Sequence, residues 1–150
     1  MRGKTQAAFR RHRRRLARLL PRADIQHIGG TAIPGAITKG DLDILVCVSR
    51  ADFARADKLL ATGYARNAAA HRSRSFSSFK DDEADPPLGI QLATHGSALY
   101  QFTVFRDALV ADTALVKRIH RESPCLPCTL TARWVESDFA KRAVSVSYAT

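Results

Sequence analysis

Hydrophobic positions recur along this chain with two different periods, and the changes of period divide it into elements. Near residues 5–20 the spacing is helical. Phe9, Arg13, Leu16 and Leu20 fall together, as do His12 and Leu19, and Pro21 stops the run. A short strand is predicted at 24–28, leading into Gly29-Gly30. Residues 31–40, punctuated by Pro34, Gly35 and Gly40, read as a loop or short helical turn. Asp41 to Val48 carries the strongest strand pattern, with β-branched and apolar residues in succession. Ala51 to Thr62 returns to helical spacing, with Phe53, Ala56, Leu59 and Leu60 on one side and Gly63 at its end.

Two shorter strands follow at 64–69 and 73–80. In the second, Phe76 and Ser78 face one way while Ser77 and Phe79 face the other, so neither side is clearly apolar. The acidic run 81–85 and the pair Pro86-Pro87 form a turn, and a further strand is predicted at 88–94. Helices are predicted at 97–111, at 113–121 and, after the break at 123–128, at 130–145. Strands that sometimes follow one another and sometimes flank helices imply a mixed β-sheet with helices packed on it, an α/β (α+β) architecture. No repeat or linker divides the chain, and 150 residues suffice for one domain with its own core. The longest apolar run, Ile44 to Val48, is far too short to span a bilayer, so no membrane partner is expected.

Charge changes this picture only at one end. The formal net charge is +10, but nine of the 24 Lys and Arg residues lie in residues 1–22, which hold no acid. The rest of the chain is almost balanced. The basicity therefore belongs to the N-terminal helix, where it makes nucleic acid a candidate partner against the plain alternative of a solvated helix face. That segment lacks an apolar stretch of secretory length, and a cytoplasmic location is expected. Three cysteines agree with a reducing compartment, because Cys47 falls in the apolar strand and only Cys125 and Cys128 are spaced as a pair. That pair, Cys125-Leu126-Pro127-Cys128, has too few neighbouring ligands for a structural zinc site.

Candidate chemistry concentrates between residues 27 and 46. Asp41 and Asp43 stand two apart at the start of the apolar strand, which puts both on one face. Two adjacent carboxylates repel unless a cation lies between them, and Mg²⁺ is commonly held by one or two carboxylates with water and phosphate oxygens. Upstream, Gly29 and Gly30 let the backbone approach a bulky anion, and Thr31 can cap the following turn or bond a phosphate. Lys39, two residues before Asp41, adds a positive charge for the same anion. There is no Walker A motif and no G-x-G-x-x-G, so the P-loop and Rossmann readings fail. His27, before the glycines, reads as a base, a phosphate contact or simply a packed strand-end histidine.

A glycine turn followed about ten residues later by paired acids at a strand start resembles the signature of the nucleotidyltransferase superfamily. Within it, His27-Ile28-Gly29-Gly30-Thr31-Ala32-Ile33-Pro34-Gly35 resembles the H-I-G-S-T-x-x-P-G hallmark of the GrpB family. Lys39-Gly40-Asp41-Leu42-Asp43 with Ile44-Leu45-Val46 resembles that family's next block, and Gly96-Ser97 and Phe105-Arg106-Asp107 its later pieces. The likeness runs over roughly residues 24–140. It departs from the family at Gly30, where Ser is usual, at Gln91, in the strand where nucleotidyltransferases often have a third carboxylate and GrpB proteins a histidine pair, and at Glu136, where Lys is expected.

The resemblance implies a nucleotidyltransferase-like fold spanning residues 1–150, residues 1–22 being its basic helix. It also implies Mg²⁺ at Asp41 and Asp43, phosphates at Gly29, Gly30, Thr31, Lys39 and Arg106, and a nucleoside triphosphate as ligand. Two functions follow from it. One is Mg²⁺-dependent nucleotidyl transfer to an acceptor, with Asp41 and Asp43 catalytic. The other is a catalytically degenerate module that binds nucleotide or RNA, which Gly30 and Gln91 favour.

Overall fold

In a computed structural model, residues 2–97 and 101–122 are described, and the predicted helix at 130–145 and the Cys125/Cys128 pair lie outside them. The elements run α1 (Arg2–Leu19), β1 (Asp24–Ile28), a 3₁₀ turn (Gly30–Ala32), β2 (Leu42–Val48), α2 (Phe53–Gly63), β3 (Ala65–Arg66), β4 (Phe76–Asp81), β5 (Leu88–Thr94), α3 (Gln101–Ala111) and α4 (Thr113–Glu122). The strands form one mixed sheet in the order β1-β2-β5-β4-β3. β2 and β5 pair in parallel, whereas β1 on β2, β4 on β5 and β3 on β4 are antiparallel. This is the expected mixed sheet flanked by helices.

β2 lies inside the sheet and is buried at all seven positions, which explains its unbroken apolar run. Its period-two alternation separates two interiors. Leu42, Ile44, Val46 and Val48 join Ile25, Ile90, Leu92 and Phe79 beneath α1 and α2. α1 contributes Ala8 and Leu16, with Leu20 just beyond it, and α2 contributes Phe53, Ala56 and Leu60. On the opposite face Ile28, Leu45, Cys47 and Ala93 form a smaller cluster, and the polar residues Asp43, Gln91 and Ser78 lie on the same side by register. A third cluster joins Ile33, in the loop after the glycine turn, to Phe105, Leu109, Val116 and Ile119 of α3 and α4. The loop that carries the glycine turn is thereby pinned to both the sheet and the helical pair.

β4 resolves the ambiguity of its sequence. Both of its faces are covered: Ser77 and Phe79 are buried on one and Ser78 on the other. Ser77 is satisfied there by donating to the Asp57 carboxylate of α2 at 2.6 Å. Asp57 also takes a two-pronged contact from Arg66 (2.8 and 2.7 Å) and a bond from Arg72 at 2.9 Å. The charge of a buried acid is compensated by two guanidinium groups, which tie α2 to the β3–β4 edge.

Candidate functional site

The site is built where β1 ends and β2 begins. Gly29 has φ +74° and ψ −177°, a conformation that side chains disfavour, and Gly40 before β2 has φ +94°. Between them the Gly30–Ala32 turn is closed by bonds from the Ala32 and Ile33 N–H groups to the Gly29 and Gly30 carbonyls, both 3.1 Å. N–H groups at the head of such a turn have no partner within it and point outward. The Thr31 hydroxyl spans the two strands. It donates to the Asp41 carbonyl at 3.0 Å and lies 2.9 Å from His27 Nε2. Since its single proton goes to Asp41, it accepts from His27, which fixes that ring as the Nε2–H tautomer. Thr31 is therefore a strut that couples the glycine turn to the acidic strand, and any phosphate contact falls to the backbone.

His27 is packed rather than presented. It stacks on Phe9 of α1 with ring centroids 5.0 Å apart, and burial together with Arg106 lowers it to a pKa of about 4. The imidazole is neutral across the physiological range. Arg106 of α3 also faces the protein. It donates to the His27 carbonyl at 2.9 Å, to Gln26 Oε1 at 2.8 Å and to Asp107 Oδ1 through two nitrogens. All three guanidinium nitrogens are engaged, so in this state the group read from sequence as a phosphate ligand is a clamp between α3 and β1. Lys39 is exposed in the loop before Asp41.

Asp43 is the member of the acidic pair that the fold buries. It is 5% exposed, and its Oδ2 has no hydrogen-bond partner among the described residues. Burial, and then the neighbouring Asp41 charge, push its pKa up to about 8. Asp41, just ahead of β2, is partly exposed and near enough for its charge to be felt. The expected pair is thus brought together, one member interior and the other nearer solvent. In the parallel register Gly89 sits opposite Asp43, and a Cβ there would stand 2.8 Å from Asp43 Oδ1. Gly89 leaves the carboxylate its space.

Two residues farther, Gln91 is 8% exposed and faces Ser78, whose buried hydroxyl has no partner among the described residues. Gly89 and Ser78 were not singled out as site residues by sequence reading. Their only signal was the period-two register relative to Asp43, which requires the strand pairing to be known. Among the described residues no group of three or more His, Cys, Asp and Glu could hold a metal, so Asp41 and Asp43 stand as a two-carboxylate set.

A mixed sheet whose glycine turn is tied to paired acids at the start of an inner strand defines a nucleotidyltransferase-like fold, and solved structures agree. The chain resembles the Cid1 poly(U) polymerase, in a structure bound to MgATP, with TM-score 0.54, 17% identity and coverage of 79% of this chain and 38% of that one. It resembles a cytoplasmic RNA terminal U-transferase with TM-score 0.52, 18% identity and coverage of 77% and 36%. Within that class the chain belongs to the GrpB family, whose model, described as GrpB protein, matches residues 3–121. The GrpB protein of Enterococcus faecalis superposes with TM-score 0.65 at 15% identity over 96% of this chain and 94% of that one. A UPF0157 protein of Vibrio cholerae is 36% identical over 111 residues, 73% of this chain and 58% of the relative, so the match spans less than two thirds of that relative's length. No helix among the described residues is long and apolar enough to cross a membrane.

Proposed function

We propose that this GrpB protein binds a nucleoside triphosphate with Mg²⁺ at the β1–β2 junction and transfers its nucleotidyl group to an acceptor. One observation carries the reading: Asp43 is buried beside Asp41 with an oxygen that has no hydrogen-bond partner among the described residues. A buried acid with a like charge as neighbour and an open coordination position is costly without a cation and suited to one. The donor set fits Mg²⁺, which takes one or two carboxylates and completes its shell with water and phosphate oxygens. Bound there, the ion would polarise the phosphate under attack and neutralise charge on the leaving group.

The chain's own groups divide the remaining work. The backbone at Gly29, Gly30 and Thr31 would lie against the phosphates, and exposed Lys39 would supply a positive charge. Thr31 and His27 keep turn and acids in register, and Arg106 holds β1 from behind. Of the structural neighbours named above, one is an RNA terminal U-transferase and the other a poly(U) polymerase solved with MgATP, which supports a nucleotide ligand on this fold.

A second reading has its own support. Gln91 occupies the strand in which a third carboxylate is usual, and a module that binds nucleotide without turnover needs only the pair. A thermal-shift screen of the four nucleoside triphosphates, with and without Mg²⁺, tests the shared core of both readings. A Mg²⁺-dependent rise in melting temperature that vanishes in Asp43→Asn is expected. Pyrophosphate release during incubation then separates transfer from binding. No shift with any triphosphate refutes both.

A further inference from the structure

The packing of α1 leaves most of its charge without a structural task. The helix buries Thr5, Ala8, His12 and Leu16 against the sheet and carries no acid in its 18 residues. Of its cations, Lys4 pairs with Asp85, and Arg15 lies over the Tyr64 ring at 5.0 Å. Arg10, Arg11, Arg13, Arg14 and Arg18 are exposed, with no carboxylate partner among the described residues. Arg10, Arg14 and Arg18 repeat every fourth residue, so they form a row with steps of about 6 Å along the outer side. The exposed Gly3, Ala7 and Ala17 share that side, and no bulky residue shields the row.

Folding does not ask for this arrangement. Like charges four apart weaken a helix, and cations near its first turn oppose its dipole. A local rule broken without a structural return marks a functional surface.

We propose that the outer face of α1 docks the phosphodiester backbone of single-stranded nucleic acid, without reading base sequence. The partner follows from what the face lacks. A helix that lies on a membrane needs a free apolar side, and the apolar side of α1 is already spent on the sheet. A protein partner needs an apolar or aromatic anchor, and this face offers only arginines and small residues. A regular row of guanidinium groups matches a chain of regularly spaced phosphates. The row also begins beside the candidate site, because Phe9, one residue before Arg10, stacks on the histidine bonded to Thr31. The inference stands whether or not the β1–β2 junction performs transfer.

Fluorescence anisotropy of labelled 20-nucleotide oligouridylate and oligodeoxythymidylate tests it, with sedimentation of phosphatidylserine vesicles alongside. The full chain is expected to bind at least one oligonucleotide, which names the source of the phosphodiester, with log affinity falling linearly in log salt. In R10Q/R14Q/R18Q the slope becomes shallower by about 2, from about 0.7 per contact on single strands, and affinity near 0.15 M salt drops at least tenfold. R10K/R14K/R18K stays within about threefold of the natural chain, since charge carries the effect. Asp43→Asn binds the oligonucleotides normally, which separates this surface from the nucleotide site. The glutamine variant should melt no lower than the natural chain, because repulsion is relieved. If it loses its thermal transition, R14Q alone decides by a slope change of about 0.7. Absence of oligonucleotide binding, an unchanged slope in the glutamine variant, or arginine-dependent binding of vesicles alone overturns the proposal.

Discussion

Asp43→Asn separates the cost of burying a carboxyl group from the use the fold makes of it. Asp43 ionises near 3.8 in an unfolded chain and at about 8 in the folded one, because burial and then Asp41 oppose its charge. Between those values the folded protein keeps a proton that the unfolded chain releases. Stability therefore falls as pH rises through that window. Below pH 4 the effect is absent, and above pH 8 it is complete. At pH 7, about three units above the unfolded value, the cost is on the order of 4 kcal/mol at about 1.36 kcal/mol per unit. Asparagine has nearly the same shape and never ionises. In chelator, urea unfolding followed by circular dichroism should find the variant more stable at pH 7–8 by on the order of 2–4 kcal/mol, with the two proteins converging toward pH 4. Millimolar Mg²⁺ should then stabilise the natural chain, most strongly at the alkaline end where no proton must be displaced, and leave the variant unmoved. Parallel pH profiles, or a variant less stable at pH 7.5, would refute the reasoning.

Gly89→Ala puts a methyl group 2.8 Å from Asp43 Oδ1 and should cost about 1–3 kcal/mol, while Mg²⁺-dependent nucleotide stabilisation disappears at unchanged circular dichroism. Thr31→Val removes the hydroxyl shared by His27 and Asp41, so chemical denaturation should show a loss of about 1–2 kcal/mol and nucleotide affinity should fall with it. Asp57→Ala strips Arg66, Arg72 and Ser77 of their common acceptor. A loss of about 2–3 kcal/mol is expected once solvent contact of the arginines is discounted. Arg66 first, with Ser77 and Arg72, holds that carboxyl well below the usual range. Its contribution is complete above about pH 4, and the gap between variant and natural chain closes on further acidification.

The parts of the fold that were legible in the sequence are those set by local pattern. β2 announced itself because an inner strand is apolar on both faces, and the glycine turn because φ values of +74° and +94° need glycine. α2 followed from its apolar side and terminal Gly63. What escaped depends on contacts between distant segments. The burial of Ser77 could not be read from its strand's mixed pattern because its acceptor, Asp57, lies 20 positions away on another element. The resemblance implied a phosphate contact for Arg106, and its clamp on Gln26 and His27 was hidden because those partners are about 80 residues distant. The role of Thr31 as a strut rests on the approach of the Asp41 carbonyl, and that of Gly89 on the parallel pairing of β5 with β2. His27 was legible as a packed strand-end histidine, but its packing partner and neutral state were not, since Phe9 belongs to α1 and Arg106 to α3.

Crystals grown with a non-hydrolysable nucleoside triphosphate and Mn²⁺ as a scattering substitute for Mg²⁺ test the central claim most directly. The account predicts an anomalous peak within direct coordination distance of carboxylate oxygens from both Asp41 and Asp43, with the triphosphate against the Gly29–Thr31 backbone. A triphosphate bound elsewhere, or a metal that avoids Asp43, would contradict it.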